Sequence, residues 1–406
     1  MLEQIITEQD VRQLIHKHEL YKEKDDPQYT DFNDIIKRIY SNISSVNFNF
    51  NIKQTQLKDK ILYLSDDIET KIVLRYLDKL IKRIYKVKQA NRDRIINQLI
   101  SILHSTNEFY IIKLDIFSFY ESIDTNKLIQ RLRDDGIISF QNVSYIESVI
   151  KKTSGNGLPR GIPFSASLSE LYLRDLDKYL KSNCKVSYFA RYVDDIIIVS
   201  SEDISKDINK YISNSEKLNL TLNDSKNKIF EIKKSDTKTY SFDFLGYEFK
   251  IKGQLEKEKN KYGDTVKYRK LDINIASSKI DKIKRRIVKA SLIFIKDGKF
   301  QDYYNRLKII FSNYKLDTNE NGMLMAGIYY NYKQITNDNS LDEINRFKNA
   351  LITGSSRLSR LIKIRLSATE RKKILKLNIC AGFYSKIKVN FSEQKIQSLC
   401  KDLKYV

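Results

Sequence analysis

Between two apolar runs of the chain stands the tetrapeptide Tyr192-Val193-Asp194-Asp195, within Phe189-Ala-Arg-Tyr-Val-Asp-Asp-Ile-Ile-Ile-Val-Ser200. Two adjacent carboxylates are costly inside an apolar strand. At the tight turn of a hairpin they face one point and can share divalent cations. A third acid, Asp115, lies at the end of Phe109–Ile116, which reads as a buried strand. Two-metal phosphoryl transfer needs such a set. One carboxylate from each of two neighbouring strands bridges two Mg²⁺ ions about 4 Å apart, which activate an attacking hydroxyl and steady the leaving pyrophosphate. Mg²⁺ prefers oxygen ligands and keeps water and substrate phosphates in its shell. Taken alone, the tetrapeptide reads more readily as an acidic surface turn.

Other chemistries find little material. The three histidines, His16, His18 and His104, lie in the first quarter of the chain, and the three cysteines, Cys184, Cys380 and Cys400, have no paired spacing. No zinc pattern and no disulfide framework follows, so the chemistry rests on carboxylates, lysine and metal. Lys and Arg number 73 against 51 Asp and Glu, a formal net charge of +22. That excess points to a polyanion, nucleic acid first. Its spread along the chain favours a lined channel over a basic arm. A solvated surface rich in Lys, Ile and Asn is the competing reading. The 406 residues correspond to roughly two to three domains, and 41% hydrophobic residues with 26 Tyr and 19 Phe can build a core. The opening residues lack the basic and apolar pattern of a signal peptide. No apolar stretch is long enough to span a bilayer, so a reducing compartment and no membrane partner are expected.

The elements that must position these acids read as follows. Residues 1–55 give short helices with an Asn-rich polar stretch near Ser41–Asn51, and 66–106 carry apolar positions at helical spacing, interleaved with Lys82, Arg83, Lys86, Lys88, Arg92 and Arg94. Asp124-Thr125 caps a helix that runs to about Asp135 and stops at Gly136. Gly155–Gly161 is a loop. A long helix follows, with Ser167 and Glu170 in capping-box spacing. After the Asp194 hairpin, 203–218 is helical and Leu218–Ile232 is strand, turn and strand. Phe242–Lys250 and Thr265–Ile275 alternate as strands about a charged turn at Lys257–Asp264, and everything from Ser277 onward is helical, starting with a basic helix Ser278–Ile295.

Lys113-Leu-Asp-Ile-Phe-Ser-Phe-Tyr-Glu-Ser-Ile-Asp124 resembles the first palm motif of reverse transcriptases, and Gly157-Leu-Pro-Arg-Gly161 with its following helix resembles their second. Tyr192-Val-Asp-Asp195 is similar to their Tyr-x-Asp-Asp signature. Leu220-Thr-Leu-Asn-Asp-Ser-Lys-Asn-Lys-Ile229 resembles the lysine-bearing fourth motif and Phe244-Leu-Gly-Tyr247 the primer grip. Each is weak alone; the ordered set is strong. The resemblance implies an α+β right hand: helical fingers, an α/β palm of antiparallel sheet plus helices, a helical thumb and a C-terminal helical extension. The expected bounds are 1–107 for the N-terminal helical region and fingers, 108–255 for the palm (with part of the fingers at about 125–160), and 256–406 for the thumb and C-terminal region.

It also implies site roles. Asp115 and Asp194 would hold two Mg²⁺, or Mn²⁺ in their place. Asp195 would be an accessory ligand, and the Ile116 carbonyl would complete a metal shell. Lys226 would protonate pyrophosphate. Tyr120 matches the steric gate that clashes with a ribose 2′-hydroxyl, and Phe119 beside it belongs to the nucleotide site. Arg92 and Arg94, then Lys88 and Arg75, are the candidate triphosphate contacts. Phe244, Leu245, Gly246 and Tyr247 would be the primer grip. A plain core aromatic for Tyr120 and a surface lysine for Lys226 stay open.

Most members carry Gln where this chain has Arg160, which adds a permanent charge near triphosphate or template. Arg160, Phe119-Tyr-Glu-Ser-Ile123 and Ser165-Ala-Ser-Leu-Ser-Glu170 together resemble the bacterial antiphage reverse transcriptases, closest to the class that pairs two reverse transcriptases with a noncoding RNA. No Cys/His endonuclease pattern or acidic RNase H set follows the thumb. The basic, tyrosine-bearing C-terminal third can grip an RNA by stacking and charge. The implied function is RNA-directed DNA synthesis in the bacterial cytoplasm. The partners would be an RNA template, dNTPs and DNA product, with a second reverse transcriptase subunit or a homo-oligomer. A group II intron maturase and an RNA-dependent RNA polymerase are the alternatives.

Overall fold

The run of apolar residues from Phe109 makes the strand Phe109–Asp115, which sits inside a four-stranded antiparallel sheet ordered Val186–Tyr192, Asp195–Ser200, Phe109–Asp115, Lys228–Ile232. Its neighbour Asp195–Ser200 is buried from Ile196 onward. Two covered faces explain why both strands read as continuous apolar runs rather than alternating ones. The computed structural model describes residues 4–24, 31–44, 48–57, 60–88, 90–153, 157–259, 264–319 and 322–403. They fall into two units. One comprises Met1–Ile95 and Glu108–Ile232, the other Ile96–Asn107 and Lys233–Val406.

In the first unit the helices Ile68–Tyr85 and Pro163–Tyr172 bury Leu77, Leu80, Ile81, Phe164, Leu168 and Leu171 in one core. The helix Thr125–Asp135 starts at the Asp124 cap and ends at Gly136, φ +61°, as its sequence predicts. The single long helix expected after the glycine loop is instead two, Pro163–Tyr172 and Arg174–Ser182, broken at Leu173. Pro163 starts the first, since its fixed φ suits the first helical position. Ser167 therefore lies inside that helix, bonded to Asp78, and no capping box forms with Glu170. A hairpin, Lys53–Leu57 with Lys60–Leu64, was not foreshadowed, because its first strand is polar and exposed throughout. It docks on the glycine loop. Tyr63 N–H donates to the Arg160 carbonyl at 2.8 Å, and a Cβ on Gly161 (φ +93°) would stand 2.5 Å from the Tyr63 oxygen.

The second unit corrects three further expectations. Phe242–Lys250 is not one strand. The chain reverses at Leu245-Gly246, φ +46° and +85°, so Thr239–Phe244 pairs with Tyr247–Lys259, which pairs with Thr265–Ile275. The predicted charged turn begins later, since Lys257 to Lys259 are still strand, and 260–263 lie outside the described residues. The region after Ser277 is also not wholly helical. The strands Asn313–Asn319 and Gly322–Gly327 pair antiparallel, and Lys388–Val389 joins them in parallel. Helices Ser277–Asp297 and Phe300–Phe311 supply the core, with Phe294 stacked on Tyr303 at 4.8 Å. Arg269, fully buried, donates to the carbonyls of Ser105, Asn107, Lys252 and Gly253, which ties 104–107 into this unit. Among the described residues no helix is long and apolar enough to cross a membrane.

Candidate active site

Strand register builds the acidic centre. Asp115 pairs with Asp195 across the two central strands, and Tyr192 pairs with Asp195 across the hairpin, leaving Val193 and Asp194 as its turn. Val193 adopts φ +61°. A β-branched residue in that region costs roughly 1–3 kcal/mol and persists only where its surroundings enforce it. Asp115 is 5% exposed. The segment after Leu222 wraps its strand end: Asn223 N–H donates to the Asp115 carbonyl at 2.8 Å, and the Asp115 N–H donates to Asn227 Oδ1 at 3.0 Å. Ile116 bridges Leu222 in the same wrap.

Lys226 reaches the same strand end, committed to a partner. Its Nζ donates to both Asp115 oxygens, at 2.9 and 3.1 Å, and Asn223 Nδ2 adds a third contact at 3.2 Å. The Asp115 hydrogen bond raises the Lys226 pKa, with the charges of Asp194 and Asp195 adding to it against burial. Burial also raises the Asp195 pKa, helped by the charges of Asp194 and Asp115 and opposed by Lys113 and Lys226. Three acids thus share one field. Among the described residues no three His, Cys, Asp or Glu side chains are placed together to hold a metal ion; Asp115 meets an ammonium instead. The donor set still fits a hard divalent cation. It is all oxygen, its acids repel one another, and a lysine cation is already drawn against the most buried of them.

A cavity of about 620 Å³ is lined among others by Lys60, Leu62, Tyr120, Arg160, Gly161 and Ser165, and by none of the three acids. The charge of Asp194 acts on both Tyr120 and Arg160. Tyr120 stands on the short helix Phe119–Ser122, where the buried Phe119 ring meets it edge-on at 5.7 Å. The glycine loop presses on the same helix: Leu158 N–H donates to the Tyr120 carbonyl at 2.7 Å, and a Cβ on Gly157 would come within 2.6 Å of that oxygen. Arg160 lies over the Tyr120 ring at 5.0 Å and forks onto Glu121 at 2.5 and 2.9 Å. Its charge is therefore matched locally. The Glu121 carboxyl is pushed up by burial, but the Arg160 fork outweighs this and lowers it.

The sequence reading missed Lys60, which the exposed hairpin brings to the cavity wall. Arg92, Arg94 and Lys88 are not among the lining residues; Arg92 opens the helix Arg92–Leu103, and Arg94 and Lys88 are exposed. Arg75 is used structurally. It forks onto Glu19 with both contacts at 2.7 Å and donates to the Leu14 carbonyl. Burial pushes the Glu19 carboxyl up, but the Arg75 fork and the His16 amide more than offset it and hold it at about 2. A depressed carboxyl contributes stability above its ordinary pKa of 4.5 and loses it as pH falls through its folded value. Glu19→Gln should therefore destabilise the protein at pH 7 by up to roughly 3 kcal/mol, with the difference from the parent protein closing as pH falls towards 2. Urea titrations at several pH values check this, and a pH-independent difference would contradict it. The expected grip residues Phe244, Leu245, Gly246 and Tyr247 form the hairpin turn of the second unit. Phe244 and Tyr247 are buried and paired across it, and the Tyr247 hydroxyl donates to the Asn331 carbonyl.

Residues 35–249, more than half of the chain, match the family model described as "Reverse transcriptase (RNA-dependent DNA polymerase)". No curated protein sequence matches the chain. Among solved structures, the telomerase of Candida tropicalis in complex with a TWJ fragment of telomeric RNA is similar at 13% identity and a TM-score of 0.40, over 87% of this chain and 60% of that one. The telomerase of Candida albicans in complex with a TWJ fragment of telomeric RNA gives 12% and 0.38 over the same shares, 87% and 60%. The apo telomerase of Candida tropicalis gives 15% and 0.37 over 82% and 56%. The chain spans 60% or less of each of these three.

Proposed function

Because this chain belongs to the reverse transcriptase family, we propose that it synthesises DNA on an RNA template from deoxynucleoside triphosphates. The observation that carries the reading is the pairing of Asp115 with Asp195 across two strands, with Asp194 in the connecting turn and its charge acting on Tyr120 and Arg160 of the cavity wall. In the proposed assignment Asp115, Asp194 and the Ile116 carbonyl hold two Mg²⁺, or Mn²⁺, and Asp195 is accessory. When bound, such ions acidify the primer hydroxyl and stabilise the departing pyrophosphate. Lys226, which donates to both Asp115 oxygens, would be the residue to protonate the pyrophosphate once Asp115 served a metal ion. Lys60 and Arg160 receive the triphosphate, Tyr120 with Phe119 behind it walls the sugar, and the Leu245-Gly246 turn aligns the primer. Residues 1–107, 108–255 and 256–406 are proposed as fingers, palm and thumb with extension.

The template is proposed to be a bound noncoding RNA. Helices Arg357–Arg365 and Ala368–Leu375 turn Ile362, Leu366 and Ile374 into the core and leave Arg357, Arg360, Arg365, Lys372 and Lys373 exposed. Arg360, Lys363 and Arg371 bond backbone carbonyls rather than carboxylates, so their charge is not locally cancelled. Such a surface suits a phosphate backbone. The setting we propose is antiphage defence in the bacterial cytoplasm, beside a second reverse transcriptase subunit or as a homo-oligomer, on the strength of Arg160, Phe119–Ile123 and Ser165–Glu170. The test is purification at moderate salt, sequencing of co-purified nucleic acid, and sequencing of DNA made on adding dNTPs and Mg²⁺. One discrete RNA with a complementary DNA product is expected. Extension of any supplied primer-template by RNA-free protein would leave a polymerase but remove the dedicated template.

A further inference from the structure

We propose that Arg191 is the positioning residue of the Asp194-Asp195 turn: its guanidinium, anchored by Glu170 and Asp177, holds the Val193 carbonyl and with it the direction of both carboxylates. The assignment rests on the polymerase reading above. Arg191 is the penultimate residue of the strand Val186–Tyr192, and its side chain is 4% exposed. Every one of its donors is used. Nε donates to Asp177 Oδ1 at 2.8 Å; Nη2 donates to Asp177 Oδ2 and Glu170 Oε2, both at 2.7 Å; Nη1 donates to Glu170 Oε1 and to the Val193 carbonyl, both at 3.1 Å. A guanidinium offers five N–H groups in a fixed plane, and here four fix the plane and the fifth grips the turn.

The anchors are independent of the turn. Glu170 lies on the helix Pro163–Tyr172 and Asp177 on Arg174–Ser182, either side of the break at Leu173. That break, which the sequence pattern did not reveal, lets two separate helices each send a carboxylate to one arginine. The guanidinium and its two carboxylates together carry a net negative charge, so a purely electrostatic role is already filled before the fifth bond is made. The fifth bond goes to Val193, the residue held at φ +61°. A left-handed β-branched residue needs an enforcing contact, and this one stands immediately before Asp194.

The competing role is a structural ion pair that only holds helices to sheet. Arg191→Lys separates the two. It keeps the charge, but the three N–H groups of an ammonium cannot serve the five acceptor oxygens that the planar guanidinium meets. Incorporation kinetics are measured well below the melting temperature, and Mn²⁺ binding is measured by EPR on the full chain. The expected result is kcat lower by about 10–100-fold with the dNTP KM within about twofold, and a Mn²⁺ midpoint raised by about tenfold, the size found when groups that orient metal ligands are lost. A lower melting temperature with unchanged kcat and Mn²⁺ midpoint would overturn the proposal. Should Arg191→Lys not fold, Glu170→Gln releases one anchor while Asp177 keeps the guanidinium in place. Smaller changes in the same directions support the proposal, and none overturns it. Parent protein that makes no DNA would remove the polymerase reading, and the Mn²⁺ midpoint alone would then decide the role of Arg191.

Discussion

Asp194→Ala is expected to lower nucleotide incorporation by on the order of 10³-fold or more, which corresponds to about 4 kcal/mol of transition-state stabilisation. Fold and RNA binding should stay intact. The asymmetry follows from where the residue sits. Asp194 is in the turn, partly exposed, and outside the apolar core that holds the two strands together. Its removal relieves repulsion, since its charge helps raise the pKa of Asp195. A thermal melt should therefore show no loss, and RNA affinity at the basic C-terminal helices should not change. Chemistry should suffer because Asp115 and Asp195 alone cannot supply enough oxygen donors for two cations. Single-turnover incorporation with saturating dNTP measures the effect. Retained incorporation by a folded Asp194→Ala protein would sink the two-metal assignment.

The acids were legible because strand ends and turns leave local marks. Asp115 closes an apolar run, Asp194-Asp195 interrupts one, and a carboxylate pair inside a strand has no other comfortable place. Lys226 was legible as a neighbour of Asp115 through its motif, though not its ion pair with it. What escaped depends on partners distant in sequence. Arg75 reads as a free cation until Glu19 folds against it, and Arg160 as an uncompensated charge until Glu121 takes its fork. Arg191 sits in a stretch that reads only as apolar and strand-forming, and nothing local announces Glu170 and Asp177 as its partners.

Pattern failed where it is silent about direction. Phe242–Lys250 alternates on each side of Leu245-Gly246, but the apolar positions shift there from Phe242 and Phe244 to Tyr247 and Phe249, and a single-strand reading passes over that shift, which is where the chain reverses. The hairpin that carries Lys60 escaped for a different reason. Its first strand buries nothing, so no apolar period marks it, and what fixes it in place is the close approach of Tyr63 to Gly161. The break at Leu173 escaped because apolar residues continue at helical spacing on both sides of it.

Tyr120→Ala should admit ribonucleotides, with the preference for dNTP over rNTP falling by about 10²-fold, or about 2.7 kcal/mol. Selection by a wall requires that the wall not yield. The Tyr120 ring is braced by Phe119 at its edge and by Arg160 over its face, and its backbone is pinned by Leu158 and the close approach of Gly157. Arg160 is in turn held by Glu121, so the brace is itself fixed. A ribose 2′-hydroxyl pressed against such a ring must displace several groups at once. Removing the ring opens space without touching an acid, so dNTP turnover should fall far less than selectivity. Tyr120→Phe keeps the ring and should keep the selectivity, which separates a steric role from one of the hydroxyl. The measurement is the ratio of kcat/KM for matched dNTP and rNTP on one primer-template. An unchanged ratio in Tyr120→Ala would make Tyr120 a core aromatic only. A parent protein that prefers rNTP would turn the whole site towards RNA synthesis, because the same acids and cavity are proposed to serve either sugar, with Tyr120 the side chain proposed to tell them apart.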